Sequence, residues 1–451
     1  MNSSPRTSPS FPLQAMAARI RLVAENTPFA RPVGQVHAVG PSAIEITGLS
    51  RWLRLGSLIE IATSRGPELA EVIRLDHEQA YCKPFDTRAS AGLSDAAYLR
   101  GDLIYHPHES WRGRILDALA RPVDGGQPLY TGESAVCVSA TPPRAMARHM
   151  ISRPARTGVR VIDAFTPLCH GQRLGIFAGS GVGKSTLLSM IARAQGFDRI
   201  IVSLVGERGR EVREFVEHTL GQSAAGAITV VATGDESAMM RRLAPQLATA
   251  LAEYFRDAGH NVLLIMDSVT RYAHACREVA LAAGEPPVAR GYPPSVFSDL
   301  PQLLERAGPG AEGQGTITGV YTVLVDGDDH NDPVADTVRG TLDGHIVLDR
   351  AIAEQGRYPA VNVLSSLSRL APRVWSKDQS TAVLELRKLA ARFEDTRDLR
   401  AMGGYVAGSD AELDRAVEMV PKLYKAISQS MSDPPSADAF REIATALSGG
   451  V

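Results

Sequence analysis

The sequence predicts an α/β protein with three folded parts: a small β-barrel, a core built on a parallel sheet, and a helical domain. Three observations predict this order. Short β-like runs separated by Gly, Ser and Pro come first, buried aliphatic runs alternating with helical patterns follow, and helical periodicity alone fills the rest. The expected boundaries are residues 1–30 for a tail with a short helix, 31–107 for the barrel, 108–375 for the core and 376–451 for the helical domain.

Composition excludes several classes of protein. The chain has 451 residues, with 48 Lys and Arg against 50 Asp and Glu, a formal net charge of −2. A chain without an excess of positive charge has no overall electrostatic attraction for a polyanion, so we expect no nucleic-acid partner. Four widely spaced cysteines form no CxxC pair, which argues against a zinc ribbon or disulfide framework and fits a reducing cytoplasm. No aliphatic run approaches the ~20 residues that a membrane-spanning helix requires.

The N-terminal 30 residues divide into a tail and a short amphipathic segment. The start, MNSSPRTSPSFP, is rich in Ser and Pro and lacks the apolar core of a secretory signal, so it is predicted to be disordered. Apolar residues then recur at helical spacing over residues 13–23, until Pro28 ends the pattern. This apolar stripe is compatible with docking onto a partner protein and also with packing against the protein's own domain.

The next segments are a barrel, a connection and the core. Residues 43–46, 58–61 and 71–73 are β-like runs that predict a small barrel or sandwich. Residues 116–157 are dense in Pro, Gly and Arg and are interpreted as a connection into the core. Four buried strands are expected in the core, at residues 173–178, 200–205, 228–232 and 262–267.

A glycine-rich loop directly after the first of these strands carries the strongest chemical signal. It opens a helical run, which is the strand–loop–helix context that makes a Walker A motif specific. Backbone N–H groups in such a loop point at phosphate oxygens, and the helix presents its positive end to the same anion. Ala178 replaces the first glycine of the motif, at the end of the strand, where Ala is tolerable. The predicted nucleotide-binding residues are Gly179, Ser180, Gly181, Val182, Gly183, Lys184, Ser185 and Thr186.

Individual side chains of this loop have distinct expected roles. Lys184 is expected to reach the β- and γ-phosphates of ATP, and Ser185 to bind Mg²⁺. About eighty residues later a buried strand ends in Asp267, a Walker B pattern in which the carboxylate holds Mg²⁺ through its water shell. Between them, Glu207 follows another predicted strand. From spacing alone, Glu207 is either a water-polarising carboxylate or part of a solvated charged turn.

Several longer motifs resemble the ATPases of flagellar and type III secretion export, over nearly the whole chain from about residue 30. The matching segments are residues 178–186, GERGREVREF at 206–215, DSVTRYA at 267–273, GYPPSVF at 291–297, LLERAG at 303–308, LDGHIVL at 342–348 and GGYVAGSD at 403–410. The same family is similar to the subunits of rotary ATP synthases. The segments GTITGV at 315–320 and DGDDHNDP at 326–333 look more like the flagellar members than the virulence members.

The resemblance implies roles for particular residues. Glu207 matches the catalytic glutamate, whereas non-catalytic subunits carry Gln at that position. Arg208 matches a position at the γ-phosphate, and Glu211 matches a position at the water shell of Mg²⁺. Tyr358 matches the aromatic residue that stacks on adenine. Arg369 matches the arginine finger offered to the neighbouring subunit's nucleotide.

The resemblance also implies an architecture and a biological role. It implies a RecA-like core, a homohexameric ring, and ATP hydrolysis with Mg²⁺ that energises export of flagellar proteins at the cytoplasmic face of the basal body. Implied partners are a stator-like regulator, the export gate and stalk proteins, chaperones and export substrates, with the ring peripheral to a membrane-embedded apparatus. Three alternatives remain: the ATPase of a non-flagellar secretion system, a rotary ATP synthase subunit, and a nucleotide-sensing ring or hexameric RNA translocase.

Overall fold

The computed structural model describes residues 32–325 and 332–449. The predicted tail and amphipathic segment, and most of the motif at residues 326–333, lie outside the described residues. The described chain divides into two compact units. One comprises residues up to 84 together with 88–101, and the other comprises residues 85–87 and 102 onward.

The first unit is a closed six-stranded antiparallel barrel with the strand order β1-β2-β5-β4-β3-β6. Alternation of buried and accessible residues along the strands builds its core, as Ile44 and Ile46 in β2 and Ile59 and Ile61 in β3 illustrate. The predicted barrel is confirmed. Its strands are β1 (Val33–Val39), β2 (Ile44–Thr47), β3 (Leu58–Thr63), β4 (Gly66–Leu75), β5 (Gln79–Pro84) and β6 (Ala96–Gly101).

The second unit is built on a mainly parallel sheet with the order β19-β18-β12-β17-β15-β13-β14-β8, to which β16 adds by pairing with β17. Its central strands are buried along almost their whole length, as expected for a parallel sheet covered by helices. Its strands, including two minor pairs, are β7 (Ile104–Tyr105), β8 (Ile115–Asp117), β9 (Val136–Cys137), β10 (Pro154–Ala155), β11 (Leu168–Cys169), β12 (Arg173–Ala178), β13 (Arg199–Val205), β14 (Ala227–Ala232), β15 (Asn261–Asp267), β16 (Gly308–Pro309), β17 (Thr316–Leu324), β18 (Gly344–Leu348) and β19 (Leu367–Ser368).

Helices accompany this sheet and fill the C-terminal part. The segment of residues 116–157, interpreted as a connection, also contributes to β8, which pairs with β14 at one edge of the sheet. The helices are α1 (Arg160–Phe165), α2 (Lys184–Ile191), α3 (Gly209–Glu214), α4 (Ala238–Asp257), α5 (Val269–Ala282), α6 (Pro294–Leu304), α7 (Pro333–Thr341), α8 (Arg350–Glu354), α9 (Ala371–Val374), α10 (Lys377–Asp395), α11 (Arg397–Ala401), α12 (Ala411–Ile427) and α13 (Ala439–Leu447). The predicted fold class, an α/β core between a barrel and a helical region, is confirmed.

The C-terminal helices pack through a small apolar cluster of their own. Ser376 caps α10, its hydroxyl accepting from the backbone of Gln379 while the Gln379 side chain accepts from the backbone of Ser376. Leu389 of α10 then packs with Ala416 and Val420 of α12. Among the helices described here, none has the length and apolar character needed to cross a membrane.

Candidate active site

The carboxyl ends of the parallel strands bring the predicted site residues together at one edge of the sheet. The phosphate loop follows β12, Glu207 follows β13, and Asp267 is the last residue of β15. Strand β17 lies between β12 and β15, and β13 is the next neighbour of β15. Ligands bind at this edge in open α/β sheets.

The backbone of the phosphate loop depends on two of its glycines. Gly181 has φ 79° and Gly183 has φ 96°, left-handed values that favour residues without a Cβ atom. Ala178 is the last residue of β12, and its carbonyl accepts a hydrogen bond from the N–H of Val325. This position is therefore extended strand, which explains why the motif works with Ala in place of its first glycine.

Lys184 stands between two carboxylates. Its ammonium donates to Asp267 Oδ1 at 2.5 Å and lies 3.8 Å from Glu207 Oε1. Asp267 Oδ1 also accepts a hydrogen bond from the hydroxyl of Thr322 in β17, at 2.7 Å. The Asp267 side chain is only 4% exposed, so its charge depends on these two donors.

Glu207 is surrounded in a way that favours its protonated form. Burial raises the pKa of Glu207 to about 7, with Lys184 opposing this rise and the charges of Asp267 and Glu211 adding to it. A hydrogen bond joins the Glu207 and Glu211 carboxyl groups, and it holds the pKa of Glu211 below its usual value. The two shifts run in opposite directions, so Glu207 holds a proton more tightly than Glu211 does. A carboxyl with a pKa near neutrality is suited to general-base catalysis.

These groups share one cavity of about 380 Å³. The cavity extends past α3 to the π-helical turn Phe215–Leu220, which follows that helix. Its lining residues are Lys184, Ser185, Leu204, Glu207, Glu211, Glu214, Phe215, His218, Thr219 and Asp267.

The donors in this cavity fit Mg²⁺ bound together with phosphates. Within the described ranges, no group of three or more His, Cys, Asp and Glu side chains could hold a metal ion by itself. The hydroxyl of Ser185 and the carboxylates of Asp267 and Glu211 line the same cavity. Mg²⁺ commonly takes one or two such protein oxygens, together with substrate phosphates and water.

Comparison with known proteins identifies the family. Residues 158–368 match the ATP synthase alpha/beta family, nucleotide-binding domain, and residues 375–444 match the T3SS EscN ATPase C-terminal domain. A flagellum-specific ATP synthase of Rhizobium meliloti is 53% identical over 443 residues, which cover 98% of this chain and 95% of the relative. The chain belongs to the flagellar and type III secretion ATPase family. It is a P-loop ATPase, as predicted.

Two solved structures of this family show the same fold. The assembled ATPase EscN of the enteropathogenic E. coli type III secretion system is 39% identical, with a TM-score of 0.85, and the match covers 93% of this chain and 100% of that one. The same protein in complex with its central stalk EscO matches with a TM-score of 0.82, 39% identity and the same coverage. The match extends through the sheet and the C-terminal helices.

In this ATPase, Tyr358 lies beside the phosphate loop. A Cβ atom added to Gly183 would be 3.5 Å from the Tyr358 ring, and the side chain remains 43% exposed. An accessible aromatic face next to the loop that holds phosphates is positioned to stack on a base.

Arg208 and Arg369 are not brought into the cavity of their own chain. The Arg208 side chain is 75% exposed and has Glu211 at 3.8 Å. Arg369 follows β19, where Ser368 pairs with Gly344 of β18, and Gly344 in turn pairs with Leu174 near the start of β12. The phosphate loop begins at the other end of β12, about 13 Å away along the strand.

The structure also places two arginines at the site that the sequence reasoning did not assign. Arg350, the first residue of α8, donates to the carbonyl of Ser180 at 3.3 Å. The stem of Arg271 lies so close to Gly206 that an added Cβ would be 3.1 Å from its Cβ and Cγ atoms. Arg350 follows the end of β18, at the ligand-binding edge of the sheet. This position after a strand is the feature of the sequence from which its place at the site could have been predicted.

Proposed function

We propose that this ATPase hydrolyses magnesium-bound ATP as a homohexamer and energises the export of flagellar proteins through the flagellar type III export apparatus. The convergence of Lys184, Asp267 and Glu207 on one cavity carries the proposal. Hydrolysis of a phosphoanhydride requires a cation that binds phosphates, a carboxylate that binds the metal and a general base of near-neutral pKa. Lys184, Asp267 and Glu207 are suited to these roles in that order.

Each group of the site has a defined part in the reaction. Lys184 leaves Asp267 and binds the β- and γ-phosphates, while N–H groups of the loop hold the remaining oxygens. Ser185 and Asp267 would hold Mg²⁺ and Glu211 would contribute to its water shell, and the ion would supply neutralising charge to the phosphates. Glu207, once ionised, accepts a proton from the attacking water. The exposed guanidinium of Arg208 turns towards the γ-phosphate, since its contact with Glu211 is weak.

The placement of Arg369 supports a ring in which active sites are shared. Within one chain, Arg369 follows a strand residue that lies level with the start of β12, whereas the phosphate loop that leads to Lys184 follows the carboxyl end of β12, about 13 Å further along that strand. An exposed arginine at that edge can contribute to hydrolysis only at the nucleotide of a neighbouring subunit. An arginine finger of this kind raises kcat by about 10³–10⁵ in P-loop enzymes.

The biological role rests on the relatives. The Rhizobium meliloti relative is named as flagellar and is more similar to this chain than EscN of a virulence system is. EscN has been solved with a central stalk, which supports a stalk partner here. We propose that the ring acts in the cytoplasm at the base of the flagellum, with the export gate, chaperones and export substrates as further partners. The segment of residues 13–23 would dock onto a stator-like regulator.

The test has a biochemical arm and a cellular arm. Specific ATPase activity is measured against protein concentration, and it should rise steeply as rings assemble. Activity that is constant down to concentrations at which the chain is monomeric would exclude shared sites. In the native host, a Glu207→Gln chain should fail to restore export of flagellar proteins to a deletion strain. Normal flagella with loss of another secreted protein set would assign the ATPase to a non-flagellar system.

A further inference from the structure

The backbone of Tyr358 is hydrogen-bonded to the segment that follows α12. The backbone N–H of Gln429 donates to the Tyr358 carbonyl at 2.8 Å. This bond joins the C-terminal helical region to the residue whose ring lies beside Gly183 of the phosphate loop. The position of the ring therefore depends on how firmly Gln429 is itself held.

The Gln429 side chain is buried, 5% exposed, and all its polar atoms are engaged. Its Oε1 accepts from the N–H of Arg160 at 3.0 Å, and its Nε2 donates to the carbonyls of Gly158 at 2.9 Å and Pro434 at 3.3 Å. A buried amide bound to three separate backbone groups has one favourable orientation. Removal of the amide would leave these buried backbone groups without a hydrogen-bond partner, which costs free energy.

The backbone around Gln429 is fixed as well. The guanidinium of Arg160 donates to the Ser428 carbonyl at 2.6 Å, and that of Arg193, just after the helix of the phosphate loop, donates to the Met431 carbonyl at 2.9 Å. Gly158 has φ 75°, and a Cβ atom there would lie 2.6 Å from Cβ of Pro435. The glycine thus allows Pro435 to pack where the carbonyl of residue 158 meets Gln429.

We propose that Gln429 is a positioning residue for the nucleotide base. By holding the backbone of Tyr358, it fixes the ring in the place where the base stacks, and it acts on the base and not on the triphosphate. This inference rests on the proposed function of Tyr358. It also identifies a route by which base binding reaches α12, because Gln429 lies two residues after that helix ends.

The test separates the base from the phosphates. Dissociation constants for a non-hydrolysable ATP analogue and for inorganic tripolyphosphate are measured by calorimetry on the full-length chain. Gln429→Ala should weaken binding of the ATP analogue about tenfold, the effect of losing an anchoring buried hydrogen-bond set, and leave tripolyphosphate binding unchanged. The control is Gln302→Ala, at an exposed glutamine of α6, which should bind both ligands as wild type does.

A double-mutant cycle with Tyr358 tests whether Gln429 affects base binding through Tyr358. If Gln429 acts through Tyr358, Gln429→Ala should weaken binding less than about twofold in a Tyr358→Ala background. The inference would be overturned if Gln429→Ala weakened the binding of tripolyphosphate as much as that of the ATP analogue. It would also be overturned if Gln429→Ala weakened binding of the ATP analogue by the full amount in the Tyr358→Ala background. Unchanged affinity of Tyr358→Ala alone would instead remove the stacking role from the proposed function. Should Gln429→Ala unfold, Gln429→Glu keeps the shape and the Oε1 acceptor, and must show the same base-selective loss.

Discussion

As the proposed general base, Glu207 should make hydrolysis depend on pH near neutrality. The pKa of Glu207 is raised to about 7, first by burial and then by the charges of Asp267 and Glu211. Only the ionised carboxylate can accept a proton from water. Because the pKa is raised, the active form is lost as the pH falls through about 7 and is gained above it.

The expected magnitude follows from the titration of one group. With a pKa of about 7, the ionised fraction of Glu207 is about 9% at pH 6 and about 91% at pH 8. The kcat/KM for magnesium-bound ATP, which reports ionisations of the free enzyme, should therefore rise about tenfold between these pH values. Glu207→Gln has no base at any pH, and its rate should fall about 10²–10⁴-fold and lose the pH dependence.

The assay is the pH dependence of kcat/KM for hydrolysis of magnesium-bound ATP, because kcat/KM reports the pKa values of the free enzyme. Glu211→Gln removes a carboxylate whose hydrogen bond and charge both raise the pKa of Glu207. The rise in rate should then move to lower pH. Glu214→Gln is the matched control, since Glu214 lines the same cavity and is not among the main causes of that pKa shift. A rate that stays flat from pH 6 to pH 8, or an identical profile in Glu211→Gln, would refute this account of Glu207.

Three further outcomes are expected. Lys184→Ala should abolish hydrolysis and weaken ATP binding, measured by calorimetry, because it deletes the charge aimed at the phosphates. Mixing inactive Lys184→Ala and Arg369→Ala chains should restore ATPase activity in rings that labelled chains show to be mixed, and no recovery would count against a shared site. The buried pair of Arg306 and Glu253, joined at 2.6 Å, should make Glu253→Ala cost about 3–5 kcal/mol in urea unfolding, whereas Glu253→Leu with Arg306→Met should be nearly neutral.

The parts of the site that could be predicted from the sequence are those that local chain geometry determines. The phosphate loop needs its glycines within a few consecutive residues. The strand that ends at Asp267 and the strand that ends just before Glu207 are both visible as apolar runs followed by a carboxylate. The bounds of the four predicted core strands differ from the observed ones by at most one residue, as Arg199–Val205 and Asn261–Asp267 show, whereas the barrel strand predicted at residues 71–73 is longer, at Gly66–Leu75. Each of these signals lies within about ten residues, which is the range that periodicity covers.

Other features depend on contacts between distant segments, which the sequence pattern does not specify. The insertion of β17 between β12 and β15 determines that Thr322 supports Asp267, although 55 residues separate them. Gln429 is 71 residues beyond Tyr358 and belongs to no phosphate-binding motif.

If Asp267 holds the metal as proposed, its pairing with Lys184 should link the binding of the nucleotide to the binding of Mg²⁺. The ammonium donates to Asp267 Oδ1 at 2.5 Å, and a phosphate that attracts it leaves a carboxylate that is only 4% exposed without its counter-charge. An unpaired charge so deeply buried is costly. On the proposed mechanism, Asp267 would regain a counter-charge when, together with Ser185, it binds a divalent cation. Since coupling between two ligands is reciprocal, we expect phosphate and metal each to strengthen the binding of the other, so that Asp267 would make the site favour magnesium-bound ATP over the free nucleotide.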